Sequence, residues 1–227
     1  MNTPLDKFRK LYDRFSSFGF SLYLVGGTVR DYLLGIPLGD MDAVTDATPN
    51  EMKSFLPEAN YSFERFGSIS IKIDGTKFDI TTLRKEGSYL DSRHPLKIIF
   101  VKDLKEDVQR RDFTINALYL DKNLKVIDYV DGLNDIDNRV LRMVGNPKNR
   151  LKEDPLRIIR ALRFSIDYDF KINDELDTAI RSNIDLLNNL NVEKIKQDIK
   201  KIKSKDLDKI RQKFIDYNIK HLLDVIE

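Results

Sequence analysis

The stretch SISIKIDGTKFDITTLR, residues 68–84, limits the possible folds of this chain more than any other. In SISIKI, apolar and polar side chains alternate, which predicts a β-strand with one buried face. Asp74 and Gly75 then form the kind of pair that makes a two-residue turn between antiparallel strands. TKFDITTLR continues as the partner strand, so we expect a β-sheet in the first half of the chain.

Further strands and helices are predicted around this hairpin. Helical spacing of apolar residues between Leu5 and Phe15, followed by Gly19, predicts an amphipathic first helix. The other predicted elements are the strands SLYLV (21–25) and DMDAVT (40–45) and the helices TVRDYLL (28–34) and TPNEMKSFL (48–56), the second with Thr48 as cap and Pro49 in its first position. Residues 84–101 begin without periodicity and predict a loop.

The second half of the chain is predicted to be mostly helical. From Lys102 onward helical patterns dominate, apart from short strands in KVIDYVDG (125–132) and RVLRMVG (139–145). Beyond about Pro147 only helices are expected. The whole pattern indicates an α+β fold, in which a small mixed sheet with helices precedes a boundary near residue 145 and a helical region follows it.

The composition excludes several classes of protein. The 227 residues are 41% hydrophobic and 33% charged, which is a globular composition with room for two modest domains. The chain has no cysteine for disulfides or thiolate metal sites, and no apolar run approaches the ~18 residues of a membrane span. We therefore expect a cytoplasmic protein without a membrane partner. Because the net charge is only +2, a nucleic-acid surface would be local, and residues 139–164 form the basic stretch.

Three aspartates are candidates for metal chemistry. Asp40 and Asp42 lie two residues apart in the predicted strand DMDAVT, so both side chains would point to one face. Close carboxylates repel each other unless a cation lies between them, and two Mg²⁺ ions ~4 Å apart would activate a hydroxyl and neutralise a leaving pyrophosphate. Asp79, in KFDIT, would join them from an adjacent strand. The alternative is a solvated strand end with an outward-facing Asp79.

A glycine pair precedes these aspartates in LYLVGGTVRDYLLG, residues 22–35. Gly26 and Gly27 stand between a predicted strand and a predicted helix, where backbone N–H groups can approach a phosphate. Arg30 would add positive charge. A plain turn explains the glycines when they are taken alone, whereas together with the carboxylates they predict a site for a nucleoside triphosphate and its metal ions.

The motif KEDPLRIIRALRF, residues 152–164, suits recognition of a base. On one helix, Glu153 and Asp154 would share a face with Arg157. A carboxylate accepts a hydrogen bond from the exocyclic amine of C or A while an arginine donates to neighbouring ring atoms. The alternative is an ordinary ion pair within a helix.

Six ordered motifs resemble those of the class II CCA-adding enzymes, the tRNA nucleotidyltransferases related to bacterial poly(A) polymerases and, distantly, to DNA polymerase β. They are LVGGTVRDYLLG, GDMDAVTDATP, FDITTLR, RRDFTINAL, DYVDG and EDPLRIIRALRF. The resemblance covers roughly residues 20–170 and is weaker at NVEKIKQDIKKI, which looks like the family's neck motif. It implies a polymerase β-like nucleotidyltransferase head at 1–145, a helical neck for nucleotide recognition at 146–203 and a helical remnant of the body at 204–227.

The resemblance also implies roles for individual residues. Asp40 and Asp42 would hold two Mg²⁺ ions, and Asp79, where family members often have Glu, would assist the attacking 3′-hydroxyl. The residues implied for the triphosphate, the sugar and the framework around them are Gly26, Gly27, Arg30, Arg111, Asp112 and Asn116. The residues implied for the base and the primer are Asp154 and Arg157, with Glu153 orienting Arg157, and then Arg160 and Arg163.

The implied reaction is template-independent nucleotidyl transfer from CTP and ATP to the 3′ acceptor end of tRNA, which builds or repairs the CCA terminus. The loop GSYLDSRHP, residues 87–95, would help the switch from CTP to ATP. An A-adding enzyme and a poly(A) polymerase share the same head motifs and stay open as alternatives. An alternative of another class is a fragment that binds RNA or nucleotides without catalysis, although converging carboxylates bring no benefit to a pure binder.

The chain departs from the family pattern in two places. Family members generally continue through helical body and tail domains, which would cover an apolar stripe consisting here of Leu207, Ile210, Phe214, Tyr217, Leu222 and Ile226. We therefore expect weak self-association or a partner at this stripe. The neck motif has Lys194, Lys196 and Asp198 where Arg and Glu are common, and His94 and His221 are expected to be structural.

Overall fold

The computed structural model describes residues 3–87 and 98–225. Within these residues the chain divides into two compact units, the first ending at Ile136 and the second beginning at Asp137. The predicted boundary near residue 145 falls later in the chain, and the three-part division into head, neck and body remnant stays a prediction.

The first unit contains helices and strands in alternation. Its helices are α1 (Pro4–Ser17), α2 (Gly27–Leu33), α3 (Pro49–Phe55), α4 (Leu104–Asp107) and α5 (Gly132–Asp137), the last of which reaches the junction. Its strands are β1 (Leu22–Val25), β2 (Met41–Thr45), β3 (Ser68–Ile73), β4 (Thr76–Thr82), β5 (Arg84–Glu86), β6 (Ile98–Phe100), β7 (Tyr119–Leu120) and β8 (Val126–Ile127).

Six of these strands form one mixed sheet, in the order β3-β4-β2-β1-β7-β8. The pair β2 and β4 is parallel, and the other neighbours are antiparallel. The predicted hairpin is confirmed, because Ile73 pairs with Thr76 across the two-residue turn. Asp74 and Gly75 in that turn have φ values of 47° and 84°, the left-handed conformation that such turns require.

The predicted helices of this unit form where the capping signals place them. Thr48 accepts a hydrogen bond from the backbone of Glu51, and the side chain of Glu51 accepts one from the backbone of Thr48, so α3 begins with a reciprocal cap. The apolar face of α1 is buried at Phe8, Leu11 and Phe15. The predicted amphipathic first helix is therefore confirmed.

The loop predicted for residues 84–101 is wrong at both ends. Strands β5 and β6 pair antiparallel, with Arg84 opposite Phe100 and Glu86 opposite Ile98. A strand of three residues is too short to show alternation in the sequence. Such a strand is stabilised mainly by pairing with its partner strand rather than by its own pattern of residues. Most of the loop GSYLDSRHP, including His94, lies outside the described residues.

The second unit is mainly helical. Its helices are α6 (Pro147–Glu153), α7 (Leu156–Tyr168), α8 (Asp174–Asn183), α9 (Val192–Ile199) and α10 (Leu207–Asp216), and its strands are β9 (Val140–Leu141) and β10 (Lys171–Ile172). The strands pair in parallel, with Ile172 opposite Leu141. The expectation of helices alone beyond Pro147 is therefore wrong at β10, where two residues gain their strand character from the distant β9.

The motif EDPLRIIRALRF does not lie on one helix, which corrects the shared-face argument. Helix α6 ends at Glu153, Asp154 is extended (φ −146°, ψ 95°), and α7 begins at Leu156. Pro155 causes the break, because its ring disfavours the α conformation in the preceding residue.

The C-terminal apolar stripe is largely covered within the second unit. Ile210, Phe214, Tyr217 and Leu222 are all less than a tenth exposed, and only Leu207 is open to solvent, with 47% of its surface accessible. Tyr217 also donates a hydrogen bond from its hydroxyl to Asp177 of α8, at 2.5 Å. The expectation that the stripe is uncovered is therefore wrong for Ile210, Phe214, Tyr217 and Leu222. Self-association stays a prediction, and Ile226 lies outside the described part.

The predicted α+β class, with a mixed-sheet head followed by a mainly helical region, is confirmed. Across residues 3–87 and 98–225, none of the helices combines the length and the apolar character that a membrane span requires.

Candidate active site

Two of the predicted carboxylates lie side by side in the first unit. Because β2 and β4 are parallel and in register, Asp42 is directly opposite Asp79. Both residues line a recess of about 200 Å³ in the same unit. The lining residues are Val25, Gly26, Asp42, Ala43, Val44, Ser68, Asp79, Thr81, Arg84, Arg110 and Arg111. The recess thus brings two carboxylates together with three arginines, Arg84, Arg110 and Arg111, which we call the arginine wall.

Asp42 is fixed to the neighbouring helix through its backbone. The N–H of Asp42 donates to the hydroxyl of Thr28 on α2, at 2.8 Å. Asp42 keeps an exposed surface, but the protein packed around its carboxyl group reduces its hydration, and the nearby Asp79 carboxylate repels its charge, so its pKa is raised above the usual value. Arg111 counteracts this shift in part. The carboxyl group therefore lies where added positive charge is favourable.

Asp40 lies just before strand β2, which begins at Met41. The prediction that Asp40 and Asp42 share one face of a strand therefore does not apply. The negative charge of Asp40 still contributes to raising the pKa of Lys77.

Asp79 is engaged by a lysine. The Lys77 ammonium lies 2.7 Å from Oδ2 of Asp79, and this hydrogen bond, together with the charges of Asp79, Asp40 and Asp42, raises the pKa of Lys77. Throughout the described ranges, no three His, Cys, Asp or Glu side chains converge closely enough to hold a metal ion. The predicted three-carboxylate cluster is therefore not assembled here. The oxygen donors of Asp40 and Asp42 nevertheless fit a hard divalent cation, because such cations prefer carboxylate ligands and Asp42 is short of compensating charge.

The glycine pair forms the turn from β1 into α2. Gly26 has a φ of 66° and Gly27 is the first residue of the helix. A Cβ atom on Gly26 would lie 3.7 Å from Oδ2 of Asp42, and one on Gly27 would lie 3.4 Å from Nη2 of Arg30. The turn thus approaches the carboxylate of Asp42 and the guanidinium of Arg30 closely, and the positive φ of Gly26, with a ψ of −134°, is a conformation that glycine adopts readily.

Arg30, Asn116 and Asp112 form a buried chain of hydrogen bonds. Arg30 is only 5% exposed, and its Nη1 donates to Oδ1 of Asn116 at 2.7 Å. The guanidinium also binds Asp31, with Nη2 2.7 Å from Oδ1. Asn116 in turn donates from Nδ2 to Oδ1 of Asp112, at 3.4 Å. The predicted framework role of Asn116 fits this arrangement, and Arg30 serves as part of the same framework.

The residues predicted to read the base lie in the second unit. Arg157 is 5% exposed and donates from Nη1 to the backbone oxygen of Arg150, at 2.6 Å, and to Oε2 of Glu153, at 3.2 Å. Glu153 also binds the guanidinium of Arg150. Oδ1 of Asp154 accepts from the backbone N–H of Leu156 at 3.1 Å, at the start of α7. Glu153 is thus within hydrogen-bond distance of Arg157, and its orienting role stays a prediction.

Arg160 and Arg163 follow on α7, and both are half-buried. The guanidinium carbon of Arg163 lies 4.9 Å from the ring centroid of Phe164.

Sequence reasoning missed several residues around the recess. Arg84 and Arg110 line it beside Arg111, and Asp107 accepts hydrogen bonds from the backbone of Arg84 and from the guanidinium groups of the other two. The adjacent arginines in RRDF were a visible signal for Arg110. Asp107 had no such signal, because its importance depends on partners that are distant in the chain. The pairing of Lys77 with Asp79 was visible in principle, since residues two apart on a strand share a face.

The fold and the recess define a class of protein. A mixed sheet that places paired carboxylates beside a glycine turn and an arginine wall is the arrangement of a nucleotidyltransferase head. Residues 22–142 match the family model described as the poly A polymerase head domain, which is more than half of the chain. The chain therefore belongs to the poly A polymerase head-domain family.

The relatives within this family are named CCA-adding enzymes. The protein of that name from Staphylococcus epidermidis is 43% identical over 184 residues, which covers 81% of this chain and 46% of the relative. The one from Ligilactobacillus salivarius is 44% identical over 199 residues, which covers 86% of this chain and 48% of the relative. The chain thus spans about half the length of the curated relatives it matches.

Solved structures of the same kind match almost the whole chain. The crystal structure of the Bacillus stearothermophilus CCA-adding enzyme in complex with CTP has a TM-score of 0.87 at 30% identity, covering 96% of this chain and 53% of that one. A tRNA nucleotidyltransferase complexed with a primer tRNA and an incoming ATP analog has a TM-score of 0.75 at 29% identity, covering 96% of this chain and 62% of that one.

Proposed function

We propose that this protein transfers nucleotides from CTP and ATP to the 3′ end of tRNA without a template, and so builds or repairs the CCA terminus. The observation that carries the proposal is the pairing of Asp42 with Asp79 in a recess that also contains three arginines. Such a recess suits a triphosphate with its divalent cation, because carboxylates bind the cation and guanidinium groups bind the phosphates. The names of the relatives support CCA addition as the specific reaction.

In this proposal Asp40 and Asp42 hold Mg²⁺, two ions being expected. When bound, Mg²⁺ neutralises charge on the attacking and leaving oxygens. Asp79 accepts the proton of the primer's 3′-hydroxyl. That oxygen forms a bond to the α-phosphorus of the nucleotide, and the bond from this phosphorus to the bridging oxygen breaks with release of pyrophosphate. In this structure Lys77 binds Oδ2 of Asp79, so Asp79 accepts the proton at Oδ1, or at Oδ2 once the lysine has released it.

The phosphates and the sugar are bound by the remaining polar groups of the first unit. Gly26 and Gly27 present backbone N–H groups at the start of α2, and Arg111 and Asp112 contact phosphate and sugar. Arg30 contributes positive charge, and its bond to Asn116 keeps α2 in place. These groups position the triphosphate and exclude water from it.

The base is selected by side chains of the second unit. Asp154 accepts from the exocyclic amine of C or A, and Arg157 donates to the ring atoms next to it. Glu153 orients Arg157, to which it is hydrogen bonded. Arg160 and Arg163 add contacts to the nucleotide or the primer. The cytoplasmic location inferred from the sequence stays a prediction.

The test uses the purified chain with Mg²⁺ and tRNA transcripts that end at the discriminator base, after one C and after CC. We expect CTP to add C up to CC, and CTP with ATP to close the end with a single A. Addition of A only to the CC-ending transcript would identify an A-adding enzyme. Long A-tails would identify a poly(A) polymerase, the activity for which the matched head domain is named.

The variants Asp40→Ala and Asp42→Ala are the control for catalysis. An enzyme loses turnover in both variants while its affinity for tRNA, measured by filter binding, stays close to that of the unmodified chain. If the unmodified chain binds tRNA but extends no transcript, the proposal is wrong and the chain is a binding module.

A further inference from the structure

We propose that Asp107 is a positioning residue, which holds the guanidinium groups of Arg110 and Arg111, and the backbone of Arg84, in the arrangement that binds the triphosphate. The inference rests on the proposed function for the identity of the ligand. Asp107 ends helix α4 and has no solvent-exposed surface, so it cannot touch the nucleotide itself.

Five donor groups converge on this one carboxylate. Oδ1 accepts from the backbone N–H of Arg84 at 3.2 Å and from Nε of Arg110 at 2.8 Å. Oδ2 accepts from Nε and Nη2 of Arg111 at 3.0 and 2.7 Å, and from the hydroxyl of Tyr119 at 3.0 Å. Because charged hydrogen bonds in a buried site are short and directional, they fix the orientation of the groups that make them.

The partners of Asp107 come from separate parts of the first unit. Arg84 begins β5, Tyr119 begins β7, and Arg110 and Arg111 follow α4. All three arginines line the recess beside Asp42 and Asp79. Asp107 therefore joins the guanidinium groups of Arg110 and Arg111, and the backbone of Arg84, to one buried acceptor. The guanidinium of Arg84 donates instead to the backbone oxygen of Phe66.

The electrostatics agree with a carboxylate that stays ionised. Burial alone would raise the pKa of Asp107, but the charges of Arg111 and Arg110 and the hydrogen bonds lower it to about 2. Its negative charge in turn raises the pKa of Arg111, although burial acts in the opposite direction. Both groups thus stay charged, which an anion-binding wall requires.

The variant Asp107→Asn separates this role from simple packing. The amide has nearly the same shape, but its NH₂ group cannot accept from Arg111 or Tyr119, so at least one guanidinium loses its anchor. We expect KM for CTP and ATP to rise about tenfold or more with a smaller change in kcat, because the arginines bind the triphosphate before and during the reaction. Calorimetry with inorganic tripolyphosphate and Mg²⁺ should show a comparable loss of affinity.

Two further variants complete the experiment. Tyr119→Phe removes one hydroxyl that binds both Asp107 and Arg111. This variant should also raise KM, but by less than Asp107→Asn does. If Asp107→Asn does not fold, Tyr119→Phe provides the test instead. Asp46→Asn is the matched control, because Asp46 accepts from the backbone of Ser21 at 2.7 Å at the end of β2 remote from Asp42. It should leave KM unchanged.

A spectroscopic readout keeps the inference separate from the proposed function. In the ¹⁵N-labelled chain, the Nε–H protons of Arg110 and Arg111 should exchange slowly with water, and this protection should be lost in Asp107→Asn. One outcome is that the unmodified chain extends no tRNA, while Asp107→Asn loses the protection of the arginine Nε–H protons. In that case the proposed function is wrong and the positioning role of Asp107 is supported. If a folded Asp107→Asn variant keeps both the protection and the KM of the unmodified chain, the inference is wrong.

Discussion

At the scale of single residues, the ion pair between Lys77 and Asp79 is the feature that most affects the chemistry of the recess. The two groups are about equally exposed, with 39% and 46% of their side-chain surfaces accessible. Such a pair adds little to stability, because water screens both charges. Its effect is local instead, since the ammonium neutralises a carboxylate that lies opposite Asp42. A divalent cation that approaches Asp79 has to compete with this lysine.

The variant Lys77→Met should therefore bind divalent cations more tightly. We expect the affinity for Mn²⁺, measured by electron paramagnetic resonance, to rise several-fold, while the melting temperature stays nearly constant. The matched control is Lys53→Met, because Lys53 forms a similarly exposed ion pair with Glu64 at 2.5 Å and does not line the recess. Equal effects of the two substitutions on Mn²⁺ affinity would show that only the total charge of the protein matters.

Residue-scale prediction from the sequence succeeds where the relevant partner is a strand neighbour. Alternation in β2 and β4 was enough to expect Asp79 from an adjacent strand, and the register places it opposite Asp42. The bond between Arg30 and Asn116 joins residues 86 positions apart, and no local pattern indicates such a contact. The predicted contacts of the site residues with metal ions and nucleotides stay proposals, because the sequence gives the residue types but not the position of the ligand.

At the scale of elements, the turn of the β3–β4 hairpin joins β3 to the strand that carries Asp79. Gly75→Ala should destabilise the first unit by about 1 kcal/mol, because an L-residue with a side chain is strained in the left-handed conformation. The φ of Gly75 is 84°, and a Cβ atom there would meet no other atom within 4 Å, so the cost is conformational alone.

Gly39→Ala is the control for this prediction. A Cβ atom on Gly39 also has open space, and the φ of Gly39 is not in the positive range. We expect this variant to keep or slightly raise the stability, because alanine restricts the unfolded chain more than glycine does. Urea unfolding followed through NMR signals of the first unit measures both effects, and a Gly75→Ala variant as stable as Gly39→Ala would contradict the argument.

The elements that the sequence did not predict are short or depend on a distant partner. Strand β10 has two residues and pairs with β9, which lies far upstream. The break between α6 and α7 at Pro155 could have been predicted, because a proline restricts the residue before it. The arginines of the same motif have helical spacing, however, and this spacing indicated one continuous helix. Capped helices, such as α1 and the shorter α3, were predictable because their patterns are local.

At the scale of the whole molecule, burial of the C-terminal stripe changes the expected behaviour in solution. Phe214 has no exposed surface and Ile210 only 2%, so the residues predicted to bind another molecule stabilise the second unit instead. A helical pattern shows that one face is apolar, but it does not show which surface covers that face. Two large apolar residues of α10 are exposed: Leu207, at 47%, and Ile215, at 53%, which lies outside the predicted stripe.

The stability of the first unit should depend on pH through Asp107. Its pKa is about 2 in the folded chain, against an ordinary value of 3.8. A pKa that is lower in the folded state means that the carboxylate stabilises the fold fully above the unfolded pKa and loses this contribution as the pH falls through the folded one. The contribution is about 2 kcal/mol and should disappear between roughly pH 5 and pH 1.

Other carboxylates also titrate in this range, so the measurement is a difference between two chains. Free energies of unfolding of the unmodified chain and of Asp107→Asn, obtained from urea titrations at several pH values, should differ most near neutral pH and converge as the pH approaches 2. The convergence follows because the protonated Asp107 and the asparagine are both neutral and similar in shape. A difference that stays constant down to pH 2 would mean that the charge of Asp107 does not stabilise the arginine wall, and the cost of the substitution would then be one of packing.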